Sequence, residues 1–228
     1  MRLGKPQFYP LGRRAARTKT ECYDFLMDPV PSASGGLGQP AGFVLAGGRS
    51  ARMGRDKALL PWGHGLLIQH VAAEVAAFAG SATIVGGADA CRSLGFPYFA
   101  DKYPGFGPVG AIATALSHSD AEWNVIAACD MPMLTAAFLE SLYTRVSPQV
   151  DAVIPRTPDG RIHPLCALYR RSVRKACESA VANSIHRVSD LISGISAEYV
   201  NTVDGSFCRN VNTPADWRMV SEVMAHAR

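Results

Sequence analysis

Residues 43–57 read Phe-Val-Leu-Ala-Gly-Gly-Arg-Ser-Ala-Arg-Met-Gly-Arg-Asp-Lys. The apolar run at the start predicts a buried strand, and the pair Gly47-Gly48 lets a bound group approach the backbone closely. The loop that follows carries three arginines and one lysine. Because a loop that presents N–H groups and cations at the end of a strand suits a triphosphate, we expect the chemistry here.

Two better-known phosphate-binding motifs do not fit this loop. A P-loop needs Gly-x-x-x-x-Gly-Lys-Ser/Thr, whereas here Lys57 comes three residues after Gly54 and is followed by Ala58 instead of a hydroxyl residue. The loop itself also lacks the Gly-x-Gly-x-x-Gly fingerprint of dinucleotide-binding proteins. A P-loop hydrolase and a dinucleotide-dependent dehydrogenase are therefore disfavoured. The remaining alternative to a nucleotide loop is a glycine-rich surface turn with solvated basic residues.

The pattern Leu-Ala-Gly-Gly-x-Ser-x-Arg-Met-Gly-x-x-Lys is more specific than a glycine turn, and it resembles the signature loop of the MobA family of nucleotidyltransferases. The resemblance covers roughly residues 42–226. It implies a Rossmann-like nucleotidyltransferase fold and an enzyme that joins a nucleoside monophosphate to a phosphorylated acceptor. Relatives that use other nucleotides often have Leu-Ala-Ala-Gly, so the form Leu45-Ala46-Gly47-Gly48 is similar to the guanine-using branch.

Length and composition indicate one ordinary domain with an N-terminal extension. Of 228 residues, 48% are hydrophobic and 18% charged, which is typical of a globular core. Residues 1–41 are rich in proline and basic residues, so we predict a disordered tail there or a start site assigned too early, with Met27 as one candidate start. Residues 42–228 are predicted to form a single nucleotidyltransferase domain.

Charge and cysteine usage favour a cytoplasmic protein. The formal net charge is +4, of which residues 1–42 hold +3, so the remaining chain is nearly neutral and gives no reason to expect a nucleic-acid partner. The six cysteines form no Cys-x-x-Cys pair and are expected to be reduced and mostly buried. No apolar run reaches the roughly 20 residues that a membrane helix needs, so no membrane association is expected.

Strand-like and helix-like segments alternate from Phe43 onward. Crossover helices between strands predict an α/β fold with three layers, in which helices cover both faces of a mostly parallel sheet. Ligands of such sheets gather beyond the carboxyl ends of the strands. Short apolar runs predict strands at 43–46, 82–85, 96–100, 124–129, 151–154, 165–169 and 198–200, and helical spacing is seen at 68–78, 138–146 and 172–182.

Asp130 is the predicted metal ligand. It directly follows the apolar run 124–129, where a carboxylate is costly to bury without a partner, and Mg²⁺ is usually held by one or two carboxylates plus phosphates. The Asp-x-Pro sequence also resembles the family's metal-binding motif. The alternative is that Asp130 caps a turn or helix before Thr135.

The nucleotide site is expected to combine positively charged side chains with glycines at which the nucleotide can come close to the backbone. Lys57 matches the family's nucleotide-contacting lysine, and Arg52 is a second candidate for neutralising the triphosphate, although both could be solvated loop residues. Asp101 resembles an aspartate that lies at the family's nucleotide site, with a turn-forming role as the alternative. Gly86 follows the second strand where the family often has an asparagine. The expected nucleotide-binding set is Leu45, Ala46, Gly47, Gly48, Lys57, Gly86, Asp101 and Asp130, and the expected catalytic set is Lys57, Asp130 and Arg52.

Four downstream residues resemble the acceptor side of the family. His163 lies in a His-Pro strand entry, Arg187 in an Arg-Val segment, and Asn210 and Asn212 in Asn-x-Asn-Thr-Pro. By analogy they surround a molybdopterin site. The alternatives are a buried imidazole, a surface charge and a turn before a helix, respectively.

The resemblance therefore implies transfer of GMP from Mg-GTP to the phosphate of molybdopterin, with release of pyrophosphate and Mg²⁺ as cofactor. The expected partners are these two substrates, with transient contacts to cofactor-supplying proteins and molybdoenzymes. The alternatives are a related transferase that uses CTP or a sugar-phosphate acceptor, and a non-catalytic nucleotide-binding partner. Both Lys57 and Asp130 are present, which disfavours the last of these.

Overall fold

The computed structural model describes residues 38–47, 57–203, 205–208, 210–211 and 216–218. Most of the predicted tail and three predicted site residues, Gly48, Arg52 and Asn212, lie outside these ranges.

The central element is a seven-stranded sheet, accompanied by a separate two-stranded hairpin. Its strands follow one another in the spatial order β5-β4-β1-β6-β8-β7-β9, and the hairpin pairs β2 with β3. The bounds are β1 Ala41–Leu45, β2 Pro61–Trp62, β3 Gly65–Leu66, β4 Ala82–Val85, β5 Tyr98–Phe99, β6 Trp123–Ala128, β7 Ala152–Arg156, β8 Cys166–Arg170 and β9 Ala197–Asn201.

Strand β8 alone runs against the other six strands of this sheet. It pairs antiparallel with β6 on one side and β7 on the other, whereas β1 pairs parallel with β4 and β6, and β7 pairs parallel with β9. The entry of β8 therefore lies at the same edge as the carboxyl ends of β6 and β7. This reversal brings the segment before β8 to the edge where ligands of parallel sheets gather.

Five helices cover the two faces of the sheet. The 3₁₀ helices Lys57–Leu59 and Asp89–Ser93 lie in connections between strands, and residues 216–218 are helical. The α-helices are α1 Leu67–Ala79, α2 Gly107–Ser117, α3 Ala136–Tyr143, α4 Val173–Ala182 and α5 Val188–Ile192.

Successive side chains of the buried strands point to opposite faces of the sheet, and this creates two hydrophobic cores. In β1, Val44 packs into one apolar cluster with α1 and α3, whereas Phe43 and Leu45 pack into a second cluster with α2, α4 and α5. In β6, Val125 and Ile126 divide between the two clusters in the same way. The predicted three-layer, mostly parallel α/β architecture is confirmed. None of the described helices is long and apolar enough to cross a membrane.

Candidate functional site

The ends of β1, β4 and β6 are tied together by backbone hydrogen bonds. The Ala46 amide donates to the Val85 carbonyl at 2.9 Å, and the Cys129 amide donates to the Leu45 carbonyl at 3.1 Å. The side chains of Leu45 and Ala46 are buried in the two cores. These two residues therefore fix the start of the glycine loop, with their side chains packed in the cores.

Three of the predicted residues converge next to this point. A Cβ built on Gly86 would lie 3.6 Å from the Asp101 Cβ and 3.8 Å from the Gly47 nitrogen, so the ends of β1, β4 and β5 meet. Gly47 is exposed, and Asp101 is part-buried. Gly86 and Gly87 have φ values of 73° and 87°, in the left-handed region that glycine adopts readily.

Replacing Gly87 by alanine is expected to destabilise the fold by about 2–5 kcal/mol, because overpacking costs about 1–3 kcal/mol and a left-handed backbone about 1–2 kcal/mol. The new Cβ would lie 2.7 Å from the Ala46 Cβ and 3.1 Å from the Cys91 sulfur. Gly95→Ala is the matched control, since Gly95 has a φ of 84° but no atom within 4 Å of the added carbon. Denaturant unfolding should give the larger loss for Gly87→Ala, and equal losses would contradict the close packing of Gly87 on Ala46.

Asp130 and Lys57 form an ion pair beyond the carboxyl end of β6. The Lys57 Nζ lies 3.6 Å from the Asp130 Oδ2, and the two side chains are only 19% and 14% exposed. Burial raises the pKa of Asp130, and the Lys57 ammonium partly offsets that rise. The pair thus places an ammonium next to a carboxylate whose burial in the ionised form is unfavourable, at the carboxyl edge of the sheet.

Asp130 is not the cap of the following helix. Thr135 occupies the N-cap position of α3 and accepts from the Phe138 amide at 3.2 Å, while Glu74 of α1 accepts from the Ala136 amide at 2.8 Å. His70, also on α1, lies with Nε2 2.9 Å from the Pro132 carbonyl, so Nε2 must carry the proton. Sequence reasoning missed Glu74 and His70, because nothing local links them to a segment about 60 residues away.

Two predicted site residues each have a buried side-chain oxygen with no hydrogen-bond partner among the described residues. They are the Asp130 Oδ1 and the Asn210 Oδ1. The Val211 amide donates to the Asp130 backbone carbonyl at 2.8 Å, which brings the segment containing Asn210 to the aspartate. Buried polar atoms normally find partners, so both oxygens are available to a bound group.

A magnesium ion fits these donors. Mg²⁺ prefers oxygen ligands and is bound by one or two carboxylates together with substrate phosphates. No group of three or more His, Cys, Asp or Glu that could hold a metal occurs in the described ranges, so the site offers a partial ligand set instead of a closed cage. A carboxylate paired with Lys57 has room for such a partial set.

His163 precedes β8 at the same edge. Its amide donates to the Pro155 carbonyl at 3.0 Å, its Nε2 lies 3.3 Å from the Thr157 Oγ1, and the nearby Leu165 carbonyl accepts from the Ala128 amide. Partial burial, and then the charge of Arg161, lower the pKa of His163. The neutral form of the imidazole is therefore favoured, and this form offers one hydrogen-bond donor and one acceptor.

Arg187 is exposed and occupies the N-cap position of α5. Its neighbour His186 stacks on Phe106 with ring centroids 4.9 Å apart, which joins this segment to the loop that follows Asp101. Among the residues that the structure describes, no hydrogen bond or ion pair joins Arg187 to Asp130 or His163.

The edge of the sheet can therefore hold an anion and a cation side by side. Glycine backbone lies at the ends of β1 and β4, a lysine ammonium lies next to the buried Asp130 carboxylate, and a histidine lies at the entry of β8. Phosphoryl and nucleotidyl transfer require cations where charge develops on phosphate oxygens. The arrangement suits such a reaction.

Comparison with known proteins agrees with this chemistry. Residues 42–197 match the family model of the MobA-like NTP transferase domain. In structure, the chain is similar to the molybdopterin-guanine dinucleotide biosynthesis protein A of Archaeoglobus fulgidus, with a TM-score of 0.70 over 82% of this chain and 99% of that one at 24% identity. That likeness supports the fold.

Curated relatives extend the match over most of the chain. A "probable molybdenum cofactor guanylyltransferase" of Carboxydothermus hydrogenoformans is 31% identical over 189 residues, which span 80% of this chain and 95% of the relative. A protein of the same name from Mycobacterium marinum is 32% identical over 77% of this chain and 90% of its own length. The chain belongs to the family of MobA-like NTP transferase domains, and it is a nucleotidyltransferase.

Proposed function

We propose that this enzyme transfers GMP from Mg-GTP to the phosphate of molybdopterin, forming the guanine dinucleotide cofactor and releasing pyrophosphate. The observation that carries the proposal is the Asp130–Lys57 ion pair beyond β6, with the Asp130 Oδ1 still unpartnered among the described residues. The names of the curated relatives support guanylyl transfer as the reaction.

Asp130 is proposed to hold Mg²⁺, with the Asn210 Oδ1 as an additional oxygen at the same point. When bound, the ion would supply positive charge against the phosphate oxygens on which charge builds up. Lys57 is proposed to favour the ionised form of Asp130 and to neutralise the triphosphate. Arg52 is proposed to assist it with a bidentate contact to phosphate oxygens. The carboxylate and the ammonium thus act as one charged unit.

The nucleotide is proposed to lie across the ends of β1, β4 and β5. The backbone would approach the nucleotide closely at three glycines, Gly47, Gly48 and Gly86. The buried residues Leu45 and Ala46 would anchor the start of the loop. The Asp101 carboxylate would accept a hydrogen bond from the ribose or the base. The second glycine of the loop supports GTP over other nucleotides.

The acceptor is proposed to approach from β8 and the C-terminal segment. His163 would donate or accept a hydrogen bond as a neutral imidazole, and Asn210, Asn212 and Arg187 would complete the acceptor side. No general base is needed, because a phosphate monoester is already ionised at neutral pH. The chain's task is to position the phosphate in line with the α-phosphate of the nucleotide.

The reaction fits a cytoplasmic enzyme with one catalytic domain over residues 42–228. The match of the family model to residues 42–197 supports the larger part of that domain. We propose transient contacts with the proteins that supply the cofactor and with the molybdoenzymes that receive it.

Isothermal titration of the purified protein with GTP, CTP and ATP in the presence of Mg²⁺ tests the proposal. We expect GTP to bind at least about tenfold more tightly than either competitor, since each lost hydrogen bond to a base edge costs about 1–2 kcal/mol. Preference for CTP would contradict guanylyl transfer and would group the protein with relatives that transfer cytidylyl groups. Absence of binding would contradict a catalytic role.

A further inference from the structure

The Asp101 carboxylate is held by a buried hydroxyl of helix α2. Thr114 is fully buried, and its Oγ1 lies 3.0 Å from the Asp101 Oδ1. The Thr114 Oγ1 also accepts a hydrogen bond from the Lys102 amide at 2.9 Å. One side chain therefore fixes both the carboxylate of Asp101 and the backbone of the next residue.

The two oxygens of Asp101 have different environments. The Oδ1 accepts from the Tyr103 amide at 3.0 Å as well as from Thr114, and this completes the turn that sequence reasoning offered as the alternative role of Asp101. None of the bonds among the described residues involves the Oδ2. The turn and a ligand can thus use different oxygens of one carboxylate.

We propose that Thr114 is a positioning residue for nucleotide binding: its hydroxyl orients Asp101 so that the Oδ2 faces the nucleotide at the ends of β1 and β4. The inference rests on the proposed function, because it assumes that a nucleotide occupies this edge. Close packing supports it, since a Cβ on Gly110 would lie 2.7 Å from the Tyr103 carbonyl oxygen. Helix α2 therefore lies directly against the turn that Thr114 fixes.

A competing role for the hydroxyl lies within the helix itself. The Thr114 Oγ1 is also 2.9 Å from the Gly110 carbonyl, the bond that threonine commonly makes one turn back. A hydroxyl has one proton, so it donates either to Gly110 or to Asp101. If the hydroxyl served only Gly110, its removal would leave nucleotide affinity unchanged.

The test compares Thr114→Val, which keeps the shape and loses the hydroxyl, with Thr114→Ser, which keeps the hydroxyl. We expect Thr114→Val to raise the Kd and the KM for GTP about tenfold, as for a lost hydrogen bond to a charged group. The kcat at saturating GTP and the KM for the acceptor should change less than about twofold, and Thr114→Ser should restore most of the affinity. Unchanged GTP affinity in Thr114→Val would overturn the proposal.

A double-mutant cycle with Asp101→Asn separates positioning from general stability. If Thr114 acts through Asp101, Thr114→Val should weaken GTP binding much less in the Asp101→Asn background than in the wild type. Additive losses would overturn the proposal, because they would show that Thr114 acts independently of the carboxylate.

Hydrogen exchange of the Lys102 and Tyr103 amides gives a readout that needs no nucleotide. Exchange should accelerate in Thr114→Val and remain slow in Thr114→Ser. If the wild-type protein bound no nucleotide, the proposed function would fail. Accelerated exchange of the two amides in Thr114→Val would still show that the Thr114 hydroxyl holds the turn. Unchanged exchange in Thr114→Val would overturn that anchoring as well.

Discussion

Asp130→Asn is expected to reduce nucleotidyl transfer by about a hundredfold to a thousandfold, because loss of a group that stabilises developing charge costs about 2.7–4 kcal/mol. The substitution keeps the shape of the side chain and removes the charge that holds Mg²⁺. Steady-state rates of pyrophosphate release at saturating GTP measure this loss directly.

The same substitution has two opposing effects on the stability of the metal-free fold, because it removes a buried carboxylate but also removes the ion pair of the Lys57 ammonium with Asp130. Burial raises the pKa of Asp130, so this group favours the folded state at low pH and loses that contribution as the pH rises through the raised pKa. Above the raised pKa the ionised carboxylate therefore opposes folding, and asparagine removes this cost. Thermal unfolding with and without Mg-GTP should show that the ligand stabilises the wild type but not the variant.

Asp120→Asn is the matched control. Asp120 is fully exposed, pairs with Arg171 and lies before the start of β6, at the opposite end of the strand from Asp130. It should keep wild-type rates and its stabilisation by Mg-GTP. Wild-type turnover in Asp130→Asn would exclude Asp130 as the metal ligand.

Lys57→Met is expected to raise the Kd for Mg-GTP about a hundredfold, because truncating one member of a desolvated charge pair costs about 2–5 kcal/mol. Methionine keeps most of the length of the side chain and removes the ammonium. Lys175→Met, on the exposed surface of α4, is the control for loss of one positive charge and should bind GTP like the wild type. Affinity of Lys57→Met within about twofold of the wild type would contradict the role of Lys57.

The Lys57 substitution should also change the pH dependence of the enzyme. The ammonium lowers the pKa of Asp130 against the effect of burial, so its loss raises that pKa further. Because Mg²⁺ binds the ionised carboxylate, the acid limb of the rate profile should move to higher pH. The double variant Lys57→Met/Asp130→Asn should recover the stability that the single Lys57 variant loses, without recovering activity, because it leaves no unpaired buried charge.

Sequence alone predicted the elements that carry strong periodic signals. The apolar run before Asp130 indicated a buried strand. Helical spacing of apolar residues indicated the helix α1, and the four residues that carry this spacing are fully buried there: Ile68, Val71, Ala72 and Val75. The family resemblance placed Gly47, Gly86 and Asp101 in one nucleotide-binding set. The structure brings their segments together, since a Cβ added to Gly86 would lie 3.6 Å from the Asp101 Cβ and 3.8 Å from the Gly47 nitrogen.

Other features could not be predicted, because they depend on contacts distant in sequence. A buried strand has the same apolar pattern in either direction, so nothing in residues 166–170 indicated that β8 runs antiparallel. The hairpin of β2 and β3 has only two residues in each strand, too few for a periodic signal. Thr114 resembled an ordinary helix residue, because its bond to Asp101 spans 13 positions.

The most direct test of guanylyl transfer is to follow the label from α-³²P-GTP in a mixture of the enzyme, Mg²⁺ and molybdopterin. We expect the label to move to the guanine dinucleotide cofactor, with one pyrophosphate released for each label transferred, and only when molybdopterin is present. Transfer of label from CTP in preference to GTP, or no transfer with any nucleotide while the protein remains folded, would contradict guanylyl transfer.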